Sequence, residues 1–265
     1  MSTEDEQQSR ARFDYAMNTR GWMRFDSAVP ESLCDRMRKD IAGHVERCGR
    51  LQVAAGIPHA PDGTAHHTLG YGDSLDEFLE SGFLDGYVRH FFGGPFILHA
   101  FNPVTIPSGG RNYVHRIHKD VKTHAGGFRL LLNMLVMVDP FTIENGATYI
   151  LSGSQHDANA PPEDLFFQHA ERITGPVGSV VLFDSNVWHA AGDNTSGRPR
   201  TAMTLSFSRP FVKPQMDYSR FLGRARGEAL SERMRQLCGY NAGVSTSLDE
   251  WYQPAGSRLY RSDQG

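Results

Sequence analysis

From Phe96 to about Phe211 the chain is a succession of short apolar runs, each closed by residues that turn a backbone. The runs fall at 96–101, 128–138, 147–151, 178–183 and 201–208. Between the later ones stand Asp-Pro, Glu-Asn-Gly, Ser-Gly-Ser, Gly-Pro-Val-Gly and Ser-Gly-Arg-Pro. Runs this short read as strands. Strands that follow one another without helical segments pack as a sandwich or barrel, not as alternating βα units. The 27 glycines and 14 prolines suit a chain with so many turns.

Ahead of this region the period changes. Leu33, Met37, Ile41 and Val45 recur every four residues, the stripe of a half-buried helix. Pro30 opens that helix, where a missing N–H does no harm. Ser74-Leu75-Asp76-Glu77 matches a capping box and predicts a second helix, and Gly93-Gly94-Pro95 closes the helical part. Gly21 to Phe25 alternates like a short strand. Residues 49–72, with His59, His66 and His67, have no period and are expected as a long loop, the kind that often borders an active site. The resulting picture is one mainly β domain with flanking α-helices. Its parts are a flexible tail (1–12), a helical part (13–95), a β core (96–211) and a C-terminal extension (212–265) with a short helix at 231–238.

A net charge of −3 and the absence of a long basic run argue against a nucleic-acid or anionic-membrane partner. Arg224, Arg226, Arg233 and Arg235 are scattered as on the solvated face of a helix. Three cysteines without a Cys-x-x-Cys spacing suit a reducing compartment. The polar N-terminus carries no apolar signal core, and the longest apolar run, 130–138, is broken by Asn133. A cytoplasmic protein, monomer or homodimer, is expected.

Chemistry concentrates at His118-Lys119-Asp120. In an extended segment the side chains at i and i+2 share a side, so an imidazole and a carboxylate meet at one point. Two histidines and one carboxylate make the facial triad of iron(II) oxygenases, which leaves three coordination positions open. The third ligand is sought in Val187-Trp188-His189, with Trp188 turned by alternation into the core. A turn through Gly192 to Gly197 then leads to a strand that starts at Arg200, and a hairpin is expected to lay this strand beside His189. On it Arg200, Ala202, Thr204 and Ser206 share a small-residue face, and a guanidinium there can grip a carboxylate bidentately.

This order resembles the phytanoyl-CoA dioxygenase family of iron(II)- and 2-oxoglutarate-dependent oxygenases. Asp139-Pro-Phe-Thr-Ile-Glu-Asn-Gly-Ala-Thr148, followed by Ser152-Gly-Ser-Gln-His156, adds to the likeness, which covers roughly residues 13–211. The resemblance implies a double-stranded β-helix (a cupin-like jelly-roll). It also implies Fe(II) on His118, Asp120 and His189, with Arg200 holding the distal carboxylate of 2-oxoglutarate. Arg198 shares the strand parity, but a spacing of eleven residues from His189 favours Arg200. Family members often carry a hydroxyl two residues after the distal histidine, where this chain has Ala191. Asn133 reads either as a further co-substrate contact or as a hydrogen-bonded core residue. The implied reaction consumes O2 and 2-oxoglutarate, releases succinate and CO2, and hydroxylates a small-molecule substrate. With Asp120 present, halogenation is not expected. His115, Arg116 and His124 are the substrate-contact candidates. A catalytically silent relative and a cupin-type metalloenzyme that needs no 2-oxoglutarate are the competing readings.

Overall fold

The computed structural model describes residues 3–58, 62–110, 113–124 and 126–264. His59 lies outside the described residues. Residues 3–12, expected in a flexible tail, form the first turns of α1 (Thr3–Thr19). Glu4, Asp5 and Glu6 meet the positive end of the helix dipole in its first turn. Its second half supplies the burial that a polar tail lacks. Phe13 and Met17 are buried, the Phe13 ring lies 5.1 Å from that of Tyr87, and Asp14 is 2.8 Å from His90.

After β1 (Trp22–Phe25), α2 (Glu31–Ala54) starts behind Pro30 and buries Leu33, Met37 and Ile41 as the stripe predicts. It runs well past residue 49, where the loop was expected to begin. Its last turns expose Leu51 and Val53, so the apolar period is lost there while the helix continues. In α3 (Ser74–Ser81) the capping residue is Asp73, whose carboxylate accepts from the Leu75 and Asp76 N–H groups. Ser74 is the first residue of the helix, not its cap, and its hydroxyl donates to Asp40. After α4 (Asp85–Phe92), Gly93 ends the helical part in the left-handed conformation.

The β core comprises β2 (Ile97–Ile106), β3 (Leu131–Val136), β4 (Thr148–Ile150), β5 (Glu171–Ile173), β6 (Val180–Asp184), β7 (His189–Ala190) and β8 (Arg200–Ser208), with α5 (Glu163–His169) just before β5. All pairings are antiparallel. One sheet has the order β1-β6-β3-β8-β2 and the other β5-β4-β7. The expected hairpin does not form: β8 lies between β3 and β2, whereas β7 pairs with β4 in the second sheet. The turn after His189 therefore crosses between sheets and carries the chain from one wall of the jelly-roll to the other.

Alternation sorts the side chains of the larger sheet into two layers. Leu132, Met134, Leu182, Met203, Leu205 and Phe207 face the helices and pack with Phe13, Met37 and Phe92. Their neighbours Leu135, Val181, Phe183 and Ala202 turn between the sheets, where Phe141, Ile150 and Ile173 meet them. A slip of one residue would exchange the two sets, and each buried Leu or Phe is worth about 1.5–3 kcal/mol, so the register is strongly specified.

The C-terminal extension is more helical than expected. Before α7 (Glu232–Leu237), which Ser231 caps, stands α6 (Tyr218–Ala229), and α8 (Leu248–Trp251) follows. Tyr218 is buried and its hydroxyl lies 2.8 Å from His67 Nδ1, which ties the extension to the 62–72 segment. Among the described residues, no helix is long and apolar enough to cross a membrane.

Candidate metal centre and its cavity

Only one residue of the His118 segment is truly paired. His118 bridges His189 across the edge of the smaller sheet, with backbone N–H···O distances of 3.0 and 2.9 Å in the two directions. Asp120 is then fixed by its own N–H, which donates to the Ser185 carbonyl at 3.1 Å. The expected same-side placement holds: His118 Nε2 is 3.7 Å from Asp120 Oδ1, and His189 Nε2 is 3.8 Å from Asp120 Oδ2. One ligand atom from each residue falls within a 4.8 Å cluster.

The histidines are held in the form a metal needs. His118 Nδ1 lies 2.7 Å from the Arg116 carbonyl, and His189 Nδ1 lies 3.0 Å from the Val187 carbonyl. A carbonyl can only accept, so both Nδ1 atoms carry the proton and both Nε2 lone pairs face the cluster. Burial pushes the His189 imidazole down to about 4, with His118 adding to the shift and Asp120 opposing it. It is therefore neutral at physiological pH. Two imidazoles that turn Nε2 to one point, with a carboxylate beside them, fit a divalent first-row cation.

Asn133 meets neither solvent nor the apolar layer. Its Nδ2 donates to Asp120 Oδ2 at 2.5 Å, and its Oδ1 accepts from the Ser206 hydroxyl at 2.6 Å. The contact that the structure shows is thus to the triad carboxylate.

A cavity of about 140 Å³ opens beside the triad, between the sheets. Arg200 lies in its wall with Ala202, Thr204 and Ser206, the face that alternation predicts. Arg200 is 3% exposed, and its guanidinium stacks 4.0 Å from the centre of the Phe141 ring and donates from Nη1 to the Gly146 carbonyl. Its Nε has no partner, and among the described residues no carboxylate pairs with it. Burial lowers its proton affinity to about 10, which leaves it charged at neutral pH. Such a cation calls for an anion. Gly146 is needed for this arrangement: its φ is +84°, and a Cβ there would collide with the Gly192 carbonyl. The Glu-Asn-Gly turn thus serves to deliver a carbonyl to Arg200. Arg198 does not compete, because it is exposed in the turn before β8.

Two cavity residues carry no local sequence signal. Thr148 pairs into β4 at the position that continues the Tyr149↔Ala190 register to Ala191, and both Thr148 and Ala191 line the cavity. A hydroxyl absent at 191 is therefore present directly across the sheet. The other is His99. Ala100, Asn102, Val104 and Ile106 alternate into the cavity, which should turn His99 outward, but a bulge between Leu98 and Ala100 brings it in as well. Nδ1 of its imidazole is buried without a partner. The proposed substrate contacts are not in this wall: Arg116 and His124 are exposed, and His115 is buried in the 3-10 turn Tyr113–His115. Trp188 packs with Phe166 and Ala190, away from the triad as expected.

A family model described as phytanoyl-CoA dioxygenase matches residues 17–202, a span that holds the triad and Arg200. The chain belongs to this family. Among its relatives, the uncharacterized protein Rv1501 of Mycobacterium tuberculosis is 39% identical over 170 residues, 64% of this chain and 61% of that one. The match thus spans less than two thirds of that relative. L-proline trans-4-hydroxylase of Streptomyces griseoviridis is 21% identical over 223 residues, covering 71% of this chain and 82% of that protein. Solved structures of similar fold include EctD from S. alaskensis with bound Fe, with a TM-score of 0.57, 19% identity and coverage of 77% and 79%. The 2-oxoglutarate-dependent epimerase SnoN from nogalamycin biosynthesis has a TM-score of 0.59 at 14% identity, over 78% of this chain and 86% of that one. At such identities the likeness is one of fold, and it is the jelly-roll that the two sheets describe.

Proposed function

We propose that the protein is an Fe(II)- and 2-oxoglutarate-dependent dioxygenase that oxidises a C–H bond of an uncharged small molecule rich in hydrogen-bond donors. The observation that carries this reading is the unpaired, buried Arg200 guanidinium in the same cavity as the His118, Asp120 and His189 cluster. A metalloenzyme that did not bind an acidic co-substrate would gain nothing from burying that charge. The solved neighbour EctD, at 18% identity, has been captured with 2-oxoglutarate and 5-hydroxyectoine.

His118, Asp120 and His189 would hold the iron, which supplies the means to couple decarboxylation of a keto acid to activation of O2. Arg200 receives the distal carboxylate of 2-oxoglutarate, and the Thr148 hydroxyl across from Ala191 donates to the same group. Asn133 keeps Asp120 in place. Val104, Ile106, Leu131, Leu135 and Phe183 line the space between with apolar surface and exclude water.

The remaining wall supports the substrate half of this reading. Thr204 Oγ1 donates to the Asn102 carbonyl at 3.1 Å, and Ser206 donates to Asn133, so both hydroxyls show only lone pairs to the cavity. Asn102 Oδ1 is buried without a partner. Among the described lining residues Arg200 is the only Arg or Lys, so a phosphate or a second carboxylate would find no fixed cation. Hydroxyl or N–H groups of a neutral substrate suit these acceptors. Cys34, Cys48 and Cys238 are free thiols, which supports a reducing, cytoplasmic setting.

An anaerobic titration of the protein with iron(II) and then 2-oxoglutarate tests the proposal without knowledge of the substrate. A weak visible charge-transfer band is expected, lost in His118→Ala and in Arg200→Ala. A flat spectrum with metal bound would overturn the oxygenase reading in favour of a silent binder or a cupin-type enzyme. Succinate release stimulated only by anionic compounds would overturn the substrate half.

A further inference from the structure

A facial triad leaves three positions open only if its carboxylate binds through one oxygen. Aspartate has two, and nothing in its own covalent structure prevents both from reaching the ion. Taking the second oxygen would remove a position that the co-substrates need. The chain therefore has to occupy that oxygen by other means.

Asn133 is placed to do so. It lies in the middle of β3, 2% exposed, with Ser206 of β8 and Phe183 of β6 as its cross-strand partners. Its orientation follows from its neighbours. Ionised Asp120 can only accept, so the Asn133 NH2 must face it; Asn133 Oδ1 then faces Ser206, whose single proton must point to it. The resulting chain, Ser206 to Asn133 to Asp120, has hydrogen bonds of 2.6 and 2.5 Å. The two carboxylate oxygens are equally near the histidines, Oδ1 at 3.7 Å from His118 Nε2 and Oδ2 at 3.8 Å from His189 Nε2, and the difference between them is that the chain of hydrogen bonds ends on Oδ2. Both donors are anchored on adjacent interior strands of the larger sheet, whereas Asp120 belongs to no strand. The rigid sheet thus sets the orientation of a ligand that its own segment does not.

We propose that Asn133, oriented by Ser206, is a positioning residue that retains Asp120 Oδ2 and so restricts Asp120 to one metal-ligating oxygen, Oδ1. The inference rests on the metal-centre reading above and goes beyond it, since it assigns each carboxylate oxygen and gives Asn133 and Ser206 a common task. Polarity within the chain adds to the effect: each donated hydrogen bond strengthens the next.

Manganese(II) alone is the probe, because it reads the site without turnover. Its affinity is followed by the electron paramagnetic resonance signal of the free ion. The number of exchangeable waters on bound ion is followed by water-proton relaxation. Wild-type protein is expected to show about three exchangeable waters. Asn133→Leu, of the same branched shape, should bind manganese(II) about ten- to a hundred-fold more weakly and lose about a third of the relaxation per bound ion, as Asp120 closes over one position. Ser206→Ala should move both readouts in the same direction by a few-fold less, and Ser206→Thr, which keeps the hydroxyl, should restore them. If Asn133→Leu fails to fold, the Ser206 pair carries the same comparison. Wild-type affinity and relaxation in folded Asn133→Leu, or in Ser206→Ala where Asn133→Leu does not fold, would overturn the proposal. So would weaker affinity with unchanged relaxation, which would mark Asn133 as merely structural. Failure of the wild-type protein to bind manganese(II) would instead overturn the metal-centre reading, and this inference with it.

Discussion

Replacing Arg200 by methionine should separate two energies that usually travel together. In the protein alone the guanidinium is a buried cation without a carboxylate, and burial holds it at about 10 against an ordinary value above 12. At 1.36 kcal/mol per pH unit the cost of keeping it charged is roughly 3 kcal/mol. The sign follows from proton linkage. Between pH 10 and 12 the unfolded chain holds the proton more tightly than the folded one, so stability rises with pH in that window and the full penalty is present at pH 7. Against it stand the bond to Gly146 and the stacking on Phe141, together about 2–3 kcal/mol. Arg200→Met should therefore change the stability of the free protein by less than about 1 kcal/mol, whereas breaking a buried ion pair costs about 3–5. Affinity for 2-oxoglutarate should behave otherwise. Loss of a bidentate, charge-assisted pair of about 3–4 kcal/mol weakens it by roughly two to three orders of magnitude. Thermal unfolding with manganese(II), with and without 2-oxoglutarate, reads both. Saturating ligand at a hundred times Kd should stabilise the wild type by about 2.7 kcal/mol and the variant hardly at all. A loss of more than 2 kcal/mol in the ligand-free variant would refute the reasoning, because it would mean that Arg200 already has its partner.

Thr148→Val removes a hydroxyl and keeps the shape, so 2-oxoglutarate affinity should drop about ten- to a hundredfold, the worth of one hydrogen bond to a charged group, with manganese(II) affinity unchanged; equal losses of both would place Thr148 elsewhere in the mechanism. Acid should also act through two buried histidines. His67 and His189 are each pushed down to about 4 by burial, so as pH falls from 6.5 to 4 the unfolded chain takes up protons that the folded one refuses, and stability declines. His67→Gln should flatten part of that decline in urea-unfolding midpoints measured across this window. An unchanged slope would show that His67 keeps its ordinary titration.

The site was legible in the sequence to the extent that its geometry is local. His118 and Asp120 share a side because an extended backbone repeats every two residues, and Arg200 falls with Ala202, Thr204 and Ser206 for the same reason. The four-residue stripe on α2 and the glycine stop at Gly93 are likewise short-range consequences of backbone sterics. Where expectation and structure part, a distant partner intervened. The polar residues 3–12 are helical because Phe13 and Met17 dock on the α4 region. Asp73 rather than Ser74 caps α3, and the serine hydroxyl instead donates to Asp40, 34 residues earlier.

The sequence by itself determined which faces the strands show, which residues could ligate a metal, and that Arg198 and Arg200 share the strand parity of a ligand-facing side chain. Only the tertiary structure decided that β7 and β8 belong to different sheets, so that His189 and Arg200 approach one cavity from opposite walls. It also brought His99 inward through a bulge, set Thr148 across from Ala191, and joined Asn133 to Asp120 and Ser206. The physical reason is the range of the forces. Backbone sterics and side-chain period act over a few residues and can be read in order along the chain. Sheet membership and register are chosen by the burial of the whole apolar set at once, and a hydrogen bond between residues 133 and 206 exists only after that choice is made.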